Sequence, residues 1–408
     1  MVFRIATALL CLVLCSCVWN DTASNPSVLT LDDSEFPYAS IPRLVIETED
    51  FAQIRDRKME LPAKLQVYGK DSPESDVLEL TIRGRGNSSF TGMPKPSYKI
   101  EFADKQALFG MPKDRDWVLI ANSADKTLLK NFITHKLAGW LGDEYTPRST
   151  FVELYLNRQY QGIYQLTESV KVGKHRINIA KTDSSFLLDR GPTEHGGENF
   201  VVTEQGTTFC IKFPKAPNDS ASQLIKDVLS KFENSLSDSD SENHISDYLD
   251  FEDYLRYYWI QELSKNTDGA FRRSIYITWQ SGEPIRLGPV WDFDVAYGNW
   301  EVDSLRTVTD WYIRNSGWNG LIFKHSKYWQ SATDYWKEHH AFLATLPDSI
   351  VKYGREISPA TKNEFKRWPV LENTENWTYK EAYKSYDEAI DSLNSWIKQR
   401  MEWIDAHL

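Results

Sequence analysis

An α+β architecture is what this 408-residue sequence predicts, and three observations carry it. Short runs of alternating apolar and polar residues crowd the stretch from 28 to 102, as half-buried strands require. Apolar residues recur at helical spacing over 125–141 and again through the last eighty or so residues. Between those helical zones, residues 274–295 read as two short strand-like segments around a turn at 282–284. The length allows a large core and favours two or three lobes.

Residues 1–16 read as an export signal outside the fold. Arg4 supplies a positive start, and the apolar run 5–14 is too short to span a membrane. The run ends Leu14-Cys15-Ser16-Cys17, which resembles a bacterial lipobox, with Cys17 lipidated as the new N-terminus; a plain secretory signal is the alternative. Either way the mature chain is exported, and the polar residues 21–27 suit a tether. Cys210, between Phe209 and Ile211, is expected as a small core residue, and no Cys/His spacing suggests zinc. A net charge of −11 makes nucleic acid and anionic lipid poor general partners, while leaving room for phosphate in a local pocket.

Strands are expected at 44–48, 63–68 and 78–82, the last running into Arg83-Gly-Arg85-Gly-Asn-Ser-Ser. Two glycines let backbone approach an anion, and Arg83 and Arg85 could hold phosphate oxygens; a tight hairpin with solvated arginines fits the same spacing. The second arm, 96–102, carries Lys99 on the face opposite Tyr98, Ile100 and Phe102, suited to neutralising phosphates or simply exposed. The helix at 125–141 presents a core stripe, with Ser123 or Asp125 as cap. Strands follow at 151–156 and 162–168. Glu168 shares the phase of Tyr164 and Leu166, so it needs a partner such as Lys99 or an exposed strand end. His195-Gly-Gly marks a loop, 209–213 a strand, and the Ser/Asp-rich 235–246 a mobile surface loop. A helix at 248–263 leads into Asn266 and Asp268.

Residues 265–299 hold the candidate chemistry. If 290–295 is extended, Trp291, Phe293 and Val295 face a core while Asp292 and Asp294 share the other side, about 6.6 Å apart. An acid before the first strand and a pair on the second can supply one base and one metal site. Mg²⁺ needs only one or two carboxylates when phosphates complete its shell.

Five segments in order resemble one family: Arg83-Gly-Arg-Gly-Asn-Ser-Ser, Lys95-Pro-Ser-Tyr-Lys99, the 119–131 stretch LIANSADKTLLKN, the pair Glu153-Leu-Tyr-Leu-Asn157 and Gly162-Ile-Tyr-Gln-Leu-Thr-Glu168, and Val290-Trp-Asp-Phe-Asp-Val-Ala-Tyr-Gly298. Together they resemble the CotH kinase family, an atypical branch of the protein-kinase-like fold. The resemblance implies a two-lobed protein with ATP between the lobes: signal 1–16, tether 17–40, β-rich N-lobe 41–168 and mainly helical C-lobe 169–408. It implies Asp268 as the catalytic acid, Asp292 and Asp294 as ligands of Mg²⁺ or Mn²⁺, and Arg83, Arg85, Lys99 and Glu168 around the nucleotide. The γ-phosphoryl would pass to a hydroxyl of a surface or secreted protein, with the chain anchored through Cys17. One departure stands out: Arg273 occupies the position where kinase catalytic loops place a metal-binding asparagine. Asn266 or Ser274 could substitute, or the fold could be kept without the activity. Two other functions remain open. Asp292-Phe-Asp294 is also a DxD, as in metal-dependent glycosyltransferases, and Trp300, Trp311 and Trp318 could serve a non-enzymatic binding surface, although such tryptophans are more often core.

Overall fold

Alternation in the first part of the chain has a consequence that no single strand reveals, because every apolar face turns toward the same axis. The computed structural model describes residues 31–191, 199–238, 241–376, 378 and 380–408. Strands β1 (Arg43–Thr48), β2 (Leu61–Tyr68), β3 (Leu78–Arg85), β4 (Ser97–Leu108), β5 (Met111–Ile120), β6 (Ser149–Leu156) and β7 (Gln159–Glu168) form a closed barrel in the order β1-β2-β3-β4-β5-β7-β6. The closing contact is parallel, with Arg43 opposite Glu153. Leu44, Ile46, Leu65, Ile82, Ile100, Phe102, Trp117 and Leu154 fill the interior. Closure removes both edges that an open sheet would expose. The expected strands are present; β5, whose sequence MPKDRDWVLI carries proline and four charges, is additional.

The second part carries long helices as expected, and it also holds a sheet larger than the expected strands. A five-stranded antiparallel sheet runs β12-β11-β8-β10-β9, from β8 (Ser185–Arg190), β9 (Phe200–Val202), β10 (Thr208–Phe213), β11 (Ile275–Gln280) and β12 (Arg286–Leu287). Its central pairing joins Arg190 to Ile275, so sequence distance hides it. Helices α1 (Ser88–Thr91), α2 (Lys130–Trp140), α3 (Asp219–Ser237), α4 (Ser241–Tyr248), α5 (Phe251–Ser264), α6 (Asp303–Arg306), α7 (Gly317–Ile322), α8 (Ser326–Leu343), α9 (Leu346–Arg367) and α10 (Tyr386–His407) make up the rest. The whole is mixed α+β. The Ser/Asp-rich stretch is mostly helical, since α3 and α4 extend into it and bury Leu236 and Ile245. Cys210 is a buried free thiol. Trp318 is core, its indole donating to Glu233 Oε1 at 2.9 Å, and Trp311 packs on Trp259, Trp329 and Trp403. The signal, Cys17 and the loop at 195–197 lie outside the described residues. Among the described residues no helix is long and apolar enough to cross a membrane.

Helix α5 positions the site. Every residue from Asp253 to Ser264 is buried, so it runs through the core. It ends where Lys265 turns left-handed at φ +45°. A second device ties the barrel to α9. Glu364 accepts from Ile163 N–H at 2.6 Å and from the Lys95 ammonium at 2.7 Å. It lies over Gly162, where a Cβ would meet its oxygen at 2.1 Å.

Candidate active site

After α5 the chain folds into a tight loop with left-handed residues at Ala270, Phe271 and Ser274 (φ +39°, +55° and +55°). Non-glycine residues hold such angles only when their surroundings impose them. Here Ala270 N–H reaches back to Asn266 O at 2.9 Å, and the Lys265 ammonium is fixed by the carbonyls of Thr307 and Thr309, both at 2.8 Å. β11 and β12 follow, and the chain then re-enters the same neighbourhood at 290–299.

That second segment is not extended. Asp292 sits at φ +72°, outside any strand, and Phe293 and Ala296 close a turn. The loop owes its shape to two amides. Asn131 Oδ1 accepts from Phe293 N–H at 2.7 Å, and Asn266 Nδ2 donates to Asp292 O at 3.3 Å. Burial still alternates, with Trp291, Phe293 and Val295 inside. The expected division into apolar and acidic sides therefore holds, although the strand that was to produce it does not exist.

The three acids share one electrostatic environment. Burial and the neighbouring Asp292 push Asp268 up to about 6, against Arg273 and Arg272; Arg273 Nη1 stands 3.7 Å from its carboxylate. Burial, then Asp292, Asp268 and Asp125, push Asp294 up to about 8. Asp292 accepts from Ser274 Oγ at 2.9 Å. Ser274 thus orients an acid, and Arg273 stands beside another. Among the described residues no three His, Cys, Asp or Glu side chains are grouped so as to hold a metal ion unaided. These carboxylates could contribute one or two oxygens to a shell that a ligand completes.

The basic residues divide sharply. Arg85 lies with its guanidinium 4.7 Å from the Trp291 ring centre and feels both Asp292 and Asp294. Burial lowers its pKa, and those acids oppose the change. Arg83, two residues earlier, turns to Glu60 at 3.3 Å and Arg57 O at 2.7 Å. Lys99 faces Arg83 across the ladder and binds Asp116 at 2.7 Å. Against burial, hydrogen bonds from Lys171 and Lys99 hold Asp116 down at about 2.

Glu168 is neither Lys99's partner nor an exposed strand end. Register explains why: Glu168 lies opposite Trp117, on the barrel's inner phase, whereas Lys99 lies opposite Val118 on the outer wall. Arg148 Nε at 2.9 Å and Arg176 Nη1 at 2.7 Å hold the buried carboxylate at the barrel mouth.

Two residues assigned only to a core helix belong to this neighbourhood. Asn131 anchors the acidic loop, and the Lys130 ammonium lies in the field of Asp294 and 3.8 Å from Asp125. Lys130 falls in helical phase with the buried Ile133 and Leu137, a signal that the sequence offered.

A barrel wall presenting a half-buried arginine to a loop of crowded acids is set in a mixed α+β fold. The chain matches the family described as CotH kinase protein over residues 82–404, and it belongs to that family. Among curated proteins, none matches it.

Proposed function

We propose that this protein is an exported phosphotransferase, passing the γ-phosphoryl of ATP to a hydroxyl of a surface or secreted protein. The barrel serves as the β-rich lobe of a kinase-like pair and residues 169–408 as the other, with ATP between them. The reading rests above all on Asp268, Asp292 and Asp294 crowding together opposite Arg85. Like charges held together need a cation, and a guanidinium beside them suits phosphate oxygens.

Asp292 and Asp294 would hold Mg²⁺ or Mn²⁺, which when bound neutralises charge on the phosphates. Arg85, fixed by Trp291, orients the phosphate tail. Arg83, Lys99 and Glu168 support the wall instead, since each already has its own partners. Asp268 takes the proton of the acceptor hydroxyl as its oxygen bonds to the γ-phosphorus; the bond to the β-phosphate oxygen breaks and ADP leaves. With its pKa near 6, Asp268 is mostly ionised at neutral pH and remains a useful base. Lipidation at Cys17 anchors the chain at the cell envelope.

The purified chain, incubated with γ-labelled ATP and Mg²⁺ or Mn²⁺, should label itself or a component of an envelope extract. No incorporation, together with no thermal shift on adding ATP, ends this reading. Stabilisation by a UDP-sugar and not by ATP would move the protein to the glycosyltransferases.

A further inference from the structure

Four lysines are more than nine-tenths buried among the described residues, and one is treated differently; Lys126 and Lys265 each donate to backbone carbonyls. Lys95 donates to Glu364 and to the Ile163 carbonyl. Lys130 makes no such bond. Its ammonium stands 3.8 Å from Asp125 Oδ1, beyond hydrogen-bond reach. Among the described residues no acceptor takes it.

Asp125 is committed elsewhere. Its oxygens accept from Thr127 N–H at 2.9 Å, Thr127 Oγ1 at 2.7 Å and the Lys130 backbone N–H at 2.8 Å. The remaining negative influence on the ammonium is Asp294, and Arg306 works against it. The ammonium keeps only this long ion pair with Asp125 and opens onto a cleft, so it is free to take an anionic ligand there.

The space to receive one is present. Lys130 lines a cleft of about 380 Å³ between residues 297–307 and the start of α10. Thr127, Tyr383 and Ser392 also line it. The cleft borders the acidic loop directly, since Asn299 on its wall donates to Asp294 O at 2.8 Å. Arg306, the other cation there, is occupied by Asp303 and Glu381.

We infer that Lys130, and not the strand lysine Lys99, binds the phosphate groups of the nucleotide, and that this cleft holds the nucleotide's anionic end. The inference rests on the phosphotransferase reading for its ligand, and on Lys130 itself for its chemistry. Two probes separate the two: a non-hydrolysable ATP analogue and pyrophosphate, each with Mg²⁺, titrated calorimetrically into the full chain.

Lys130→Met should weaken both ligands by about tenfold or more, Lys130→Arg by about threefold or less, and Lys99→Met by less than about twofold. Free Lys130→Met should melt at or above the wild-type temperature, because Asp125 keeps its three donors; a structural counterion would lower it. Unchanged binding by Lys130→Met, or lost binding by Lys99→Met, overturns the assignment. So does a fall in its melting temperature with binding intact. Should the wild type bind pyrophosphate through Lys130 and ignore the analogue, the phosphate site stands and the nucleotide reading falls. Should it bind neither, both fall.

Discussion

The outer wall of the barrel and the loop it faces use their charges in opposite ways. On the wall, Arg83 closes on Glu60 and Lys99 on Asp116; at the mouth, Glu168 closes on Arg148 and Arg176. On the loop, Asp292 raises the proton affinity of Asp268, and both raise that of Asp294; Arg273 pairs with Asp268 at 3.7 Å, but Arg85 and Lys130 form no ion pair with any of the three acids. Charges paired within the fold stabilise it, whereas charges left opposed are available to a ligand. Neither region's role follows from its composition; it follows from who is bonded to whom.

Mutations should separate the two regions by what they damage. The largest effect is expected from Asp292→Ala, which should lower kcat/KM for phosphoryl transfer by about a thousandfold, or about 4 kcal/mol, without loss of melting temperature. Glu168→Ala should do the reverse, costing about 3 kcal/mol in urea denaturation because Arg176 is left buried without its carboxylate. A stable Glu168→Ala protein with lost activity would break the comparison.

Acidity sharpens it further. Because Asp268 must be ionised to accept a proton, the transfer rate should fall as pH drops through about 6, and Asp268→Asn should abolish that limb of the profile. For stability the sign is opposite. Asp294 has its pKa raised from 3.8 to about 8, so the stability its protonated form lends is complete below about pH 4 and lost as pH rises through 8. Ligand-free Asp294→Asn should therefore match the wild type near pH 4 in a thermal melt and exceed it by roughly a few degrees at pH 8. The smallest effects belong to the wall: Arg83→Ala and Lys99→Met should each change kcat/KM by less than about threefold, since both are partly exposed and internally paired.

Much of this was legible in the sequence. Alternation located β1, β2 and β3, and the helical stripe located α2, although Leu128 at φ +61° delays its start to Lys130. The pairing of acids with buried aromatics at 291–295 was legible too. What escaped was whatever depends on distant partners. The strand expected at 290–295 fails because its shape answers to Asn131 and Asn266, side chains that periodicity does not weigh. Lys99 and Glu168 looked like neighbours until the register of β5 placed them on opposite faces. Barrel closure depends on β1 finding β6, a pairing no local pattern encodes.

That last pairing also orders events during synthesis. The first strand to leave the ribosome has one partner close behind it in β2, but its other flank waits until Glu153 and its neighbours have emerged. The clamp on Lys95 and Ile163 waits longer still, for Glu364. A nascent chain that has reached only Leu108 is a four-stranded meander with two bare flanks, the form in which sheets recruit strangers. Late non-local closure makes folding slow. Export of an unfolded polypeptide would suit such a protein, because the whole chain then arrives before its oldest strand has to commit.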